Sequence, residues 1–89
     1  MQIENENDFP KLRIQIYEWK KRFPMFVHDV KHVERLIENH ISTYSKHLVI
    51  YRQTHSKKYL ELAQQEIDAI NQKLLLVGNI ELMSLLSRR

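Results

Sequence analysis

Eighty-nine residues suffice for one domain with one modest core. A single glycine, two prolines and no cysteine exclude a turn-rich all-β chain, a disulfide framework, a thiolate metal site and a cysteine nucleophile. The net charge of +3 is unevenly spread: residues 1–10 carry Glu4, Glu6 and Asp8 with no base, residues 11–58 carry 11 Lys/Arg against 4 Asp/Glu and all 5 histidines, and residues 59–89 carry 3 against 4. Such a basic middle is what a solvated helix face looks like, and it also attracts phosphates or an acidic partner.

The opening "MQIENENDF" is acidic and polar, unlike a secretory signal. Residues 1–8 are expected to form a flexible tail. Next, Leu12, Ile16, Trp19 and Phe23 fall at steps of 4, 3 and 4, one face of a helix near 10–23, with Asp8 as N-cap and Pro10 in the first turn. "KLRIQIY" also alternates polar and apolar as a strand would. No second strand exists to pair with it, so helix is the favoured reading.

Pro24 cannot lie inside a helix, so a new element starts there. From Phe26 the apolar positions Val30, Val33, Ile37, Ile41, Tyr44, Leu48 and Tyr51 continue at steps of 3 and 4. They predict a long amphipathic helix near 25–52. "RQTHSKK" interrupts the pattern, and Leu60, Ala63, Ile67, Ile70, Leu74 and Val77 resume it with heptad spacing. A turn near Thr54 to Ser56 is preferred to one unbroken rod, which could not cover its own apolar stripe. Gly78 suits the end of a helix near 56–77, and Asn79 the cap of a last one near 80–87. The expected fold is all-α: a long antiparallel helical hairpin or a three-helix bundle with a short C-terminal helix. Val33, Ile37, Ile41, Tyr44, Leu48, Ala63, Ile67, Ile70 and Leu74 are its expected core or seam.

The histidines offer the nearest thing to chemistry. His28 and His32 are spaced as two zinc ligands on a helix would be, opposite the apolar face. Lys31, Arg35 and Asn39 share their stripe, and two cations repel a divalent ion, so no metal or other cofactor is expected. His40 and His47 flank the apolar stripe, where a histidine ordinarily makes one hydrogen bond to a neighbouring helix. The hydroxyls lack a base with an orienting partner, and a glycine-poor bundle offers little loop backbone for an oxyanion hole. Glu34 and Glu38 form an i, i+4 pair expected to face solvent. The chain is read as no enzyme.

The stretch "LLLVGNIELMSLL" is too short and too polar to span a bilayer, and with no cysteine the expected setting is cytoplasmic. Its side chains nevertheless point in too many directions for one neighbour: Leu74, Leu75 and Leu76 are consecutive, and Ile80, Leu82, Met83, Leu85 and Leu86 follow. A helix apolar most of the way round must be buried on most sides. Leu75, Ile80, Leu82, Met83, Leu85 and Leu86 are therefore the expected partner interface. The sequence reads as a small interaction or assembly module that forms a homodimer, in coiled-coil fashion, or docks a helix of another protein. The alternative is a basic protein that binds nucleic acid. Its contacts would come from Lys11, Arg13, Lys20, Lys21, Arg22, Lys31, Arg35 and Lys46, either on a helical face or through "KLRIQIY" as an N-terminal intersubunit ribbon.

Overall fold

A computed structural model describes the backbone of residues 1–87, and the side chains of residues 1–79 and of Leu82. The described chain is all-α, with no strand. Helix α1 spans Phe9–Arg22, α2 spans Val27–Thr54 and α3 spans Lys57–Ser87, with 3-10 turns at Glu6–Asp8 and Pro24–Phe26. The alternation in "KLRIQIY" is thus the surface of a helix, and Leu12, Ile16 and Trp19 are its buried face. No strand exists among the described residues from which a ribbon could be built.

Each boundary has a local cause. At the end of α1, the Phe23 N–H donates to the Trp19 carbonyl at 2.9 Å, and Phe23 then leaves helical geometry at φ −123°, ψ 67°, as the residue before a proline must. Pro24 occupies the first position of the following turn, where its missing N–H costs nothing. At the far end of α2, His55 adopts the left-handed conformation with φ 55° and donates its N–H to the Tyr51 carbonyl at 2.7 Å. Thr54 Oγ1 donates to the Ile50 carbonyl at 2.8 Å and accepts the Ser56 N–H at 3.3 Å. These bonds use helix-end groups that would otherwise lack partners. The chain then reverses, and α3 starts with Lys57 and Lys58 in its first turn despite their unfavourable sign against the helix dipole.

The result is a rod of 54 × 18 × 16 Å. Helices α2 and α3 form its antiparallel hairpin, held in register by His40 opposite Glu66 and His47 opposite Tyr59. Helix α1 runs back along the N-terminal half of α2: Phe9 meets Tyr44 edge-to-face at 5.4 Å, Arg13 meets Glu38, and Lys20 meets Glu34. Between the three helices lie Leu12, Ile16 and Trp19, then Val30, Val33, Ile37, Ile41 and Tyr44, then Ala63, Ile67, Ile70, Leu74 and Val77, all buried. Leu48 is partly buried against this cluster. Leu60, which keeps the heptad spacing, is exposed because it lies near the hairpin turn, beyond the reach of α1.

Two expectations are corrected. The N-terminal residues do not form a loose tail. Ile3 is 1% exposed, and its backbone is clipped at both polar atoms by one side chain: its N–H donates to Asn71 Oδ1 at 2.7 Å, and its carbonyl accepts from Asn71 Nδ2 at 2.9 Å. The Asn5 side chain accepts the Asn7 N–H, and Asp8, which stands at the N-cap position of α1 as expected, turns its carboxylate to the Glu4 N–H at 2.9 Å and makes no side-chain capping bond. Nor does Gly78 end a helix. Residues 80–87 are helical as expected, but they continue α3 without a break, and Gly78 has no positive φ. Continuing costs about 1 kcal/mol for glycine relative to alanine. Stopping would give up the helix's own hydrogen bonds with no second element there to replace them. A Cβ at Gly78 would meet nothing within 4 Å. Gly78→Ala should therefore stabilise the protein by about 0.5–1 kcal/mol, seen as a later urea midpoint with an unchanged slope.

Candidate interaction surfaces

The first surface is the outer side of α3. Leu75 is 71% exposed and Leu82 is 56% exposed. At seven residues apart they share one helical face, within about 20°. Met1 and Gln2 of the N-terminal arm approach Asn71, Gln72 and Leu75 around a shallow depression of about 310 Å³, so the exposed Met1 extends the same apolar strip. Gly78 and Asn79 lie between the two leucines and are also exposed. Gln2, Gln72 and Asn79 border the strip, and Asp68, seven residues before Leu75 on the same helical face, places one exposed carboxylate at its end. Leu76 is exposed as well, on a different side of the helix. Of the six residues expected at a partner interface, Leu75 and Leu82 are thus at the surface. The side chains of Ile80, Met83, Leu85 and Leu86 lie outside the described residues. The hairpin register brings Val27, the first residue of α2, to the level of Asn79, so the backbone of residues 80–87 continues past the start of α2.

The second surface is the outward side of α2. His28, Lys31, His32 and Arg35 are exposed and line an open depression of about 340 Å³. The Arg35 guanidinium lies 3.4 Å from His32 Nδ1. Asn39, Ser42 and Lys46 continue the stripe. From His28 to Lys46 these side chains stay within about 100° of the helix circumference over about 27 Å. Among the described residues no three of histidine, cysteine, aspartate and glutamate stand close enough to share a metal ion.

Glu34 and Glu38 keep 33% and 42% of their side-chain surface exposed, as expected, and they also border the seam between α1 and α2. Arg13 grips Glu38 with a two-pronged contact, Nε to Oε1 at 2.9 Å and Nη2 to Oε2 at 3.1 Å. This hydrogen-bonded carboxylate raises the arginine's already high pKa. Lys20 reaches both oxygens of Glu34 at 3.1 Å. Such partly exposed pairs are worth at most about 1 kcal/mol each; their main effect here is to consume charge. Of the expected nucleic-acid contacts, Lys31, Arg35 and Lys46 share one stripe. Arg13 and Lys20 stand at its edge already paired, and Lys21 lies over the Tyr17 ring at 4.5 Å. Lys11 and Arg22 fall on the opposite flank of α1, with Arg22 over Phe23.

The remaining polar groups are structural. His40 Nδ1 meets Glu66 Oε2 at 2.6 Å across the hairpin, the single seam contact expected of it. His47 packs at 6.3 Å from the Tyr59 ring, and its buried Nδ1 finds no hydrogen-bond partner. Burial, and after it the neighbouring Glu6 carboxylate, pushes the Tyr44 phenol up from its ordinary value. Sequence reasoning missed Glu66 and Asn71, both polar residues beside an apolar heptad with no local pattern to mark them.

No family model, curated protein or solved structure matches this chain. No helix among the described residues is long and apolar enough to cross a membrane.

Proposed function

We propose that the chain is a small, non-enzymatic assembly module that associates with a second copy of itself through the outer face of α3. The observation that carries this reading is the apolar strip of the Met1, Leu75 and Leu82 side chains, with Leu75 71% and Leu82 56% exposed. Exposed leucines scattered singly need no explanation, but two at heptad spacing beside an exposed methionine form a coiled-coil-like seam. Interface cores are depleted in charge. The two leucines can meet those of a second copy across a twofold axis without opposing like charges. The run of α3 past the start of α2 lengthens the face available to the second copy. The absence of cysteine fits a cytoplasmic setting for such a module.

The variant Leu75→Glu/Leu82→Glu tests this directly. Both positions are exposed within one chain, so the variant should keep its helix content and melt cooperatively while its light-scattering mass falls to that of one chain. Loss of helical circular dichroism would place the two leucines in the internal packing instead. An unchanged oligomeric mass would remove this strip from the interface.

A further inference from the structure

We infer that the outward face of α2 is a docking surface for the phosphate backbone of a duplex nucleic acid, independent of the α3 face. His28, Lys31, His32, Arg35 and Lys46 line it, and no carboxylate shares it. Helix α2 carries three acidic residues over this span, Asp29, Glu34 and Glu38. Asp29 lies about 60° beyond the edge of the stripe. Glu34 and Glu38 are engaged by Lys20 and Arg13 of α1. The one acidic residue of α1, Glu18, projects about 140–160° away from Arg13 and Lys20, on the far flank of that helix. The ion pairs between α1 and α2 therefore leave the stripe without compensating charge, and its cations repel one another unless an anion covers them.

The form of the stripe favours duplex phosphates over other polyanions. Its cations, Lys31, Arg35 and Lys46, run along one face of the helix for about 23 Å, with Asn39 and Ser42 between Arg35 and Lys46 as hydrogen-bonding groups of the kind that contact phosphate oxygens. Between His28 and Lys46 it presents no exposed apolar side chain, and Val49, half exposed one turn beyond, is a single residue, whereas a helix lying in a membrane surface needs a continuous apolar face to insert. It presents no tyrosine, tryptophan or phenylalanine on which unpaired bases would stack, which argues against single strands.

Fluorescence anisotropy with short DNA and RNA duplexes, titrated with the full chain over a salt series, tests the inference. The variant Lys31→Gln/Arg35→Gln removes two exposed cations from the stripe. Lys57→Gln/Lys58→Gln makes the same charge change at the hairpin turn. The stripe variant should weaken low-salt binding by roughly tenfold or more and lower the log–log salt slope by about 1.8, the value for two phosphate contacts. The turn variant should change binding far less, and whichever duplex binds more tightly names the source of the phosphates. Equal losses in both variants would reduce the effect to net charge and overturn the assignment. So would an absence of duplex binding at low salt, or binding of anionic vesicles through the stripe without binding of duplexes. None of these outcomes depends on the mass measurements that test self-association.

Discussion

Replacing Ile37 by Ala should destabilise the protein by about 2–5 kcal/mol. Ile37 is 0% exposed and sits midway along α2, where α1 packs on one side and α3 on the other. Truncation removes apolar burial and leaves a cavity that three mutually braced helices cannot easily close. A domain of this size has only a small net stability, of the order of 5–15 kcal/mol for proteins generally. The change should therefore appear as a large fall in the urea midpoint. A loss near zero would mean that this stripe does not lie in the core.

The second large effect is expected where the sequence points the other way. A flexible tail would make Ile3 dispensable. Docked as it is, Ile3→Ala should cost about 2 kcal/mol or more. The value belongs at the lower end of the range for isoleucine truncations, because the arm can partly collapse onto α3. The two hydrogen bonds from Asn71 to the Ile3 backbone persist only while the side chain seats the arm. Amide exchange at Ile3 should therefore accelerate in the variant as well. Rapid exchange at Ile3 in the unmodified protein would contradict the docking.

These two positions show what was legible. The core of α2 could be read residue by residue, because steps of 3 and 4 from Val30 to Tyr44 leave only one face to bury. Pro24 marked its boundary for a steric reason that holds in any context. The hairpin turn was placed from the polar gap and from the need to cover an apolar stripe, since His55 takes a left-handed conformation that a glycine would have announced. The docking of Ile3 depends on Asn71, 68 residues away, and no local pattern records a contact of that separation. Gly78 misled because propensity is a weak preference: with no competing element at that end of the rod, continuing the helix costs less than breaking it.

The candidate surfaces were legible in unequal measure. Leu75 and Leu82 stood out because consecutive leucines cannot share one neighbour, and both lie at the surface. The basic residues could be counted but not sorted, because sorting them depends on where α1 lies. Only the seam shows that Arg13 and Lys20 neutralise Glu38 and Glu34, and that Lys31, Arg35 and Lys46 remain open on α2.

Self-association is most directly tested by multi-angle light scattering on the unmodified protein, passed through a sizing column at a series of micromolar concentrations. The assembly reading predicts a mass near twice the single-chain 10.8 kDa, falling towards one chain only on dilution, as a twofold dimer requires. A constant mass of one chain at every concentration, from a protein that is fully helical and melts cooperatively, would contradict it.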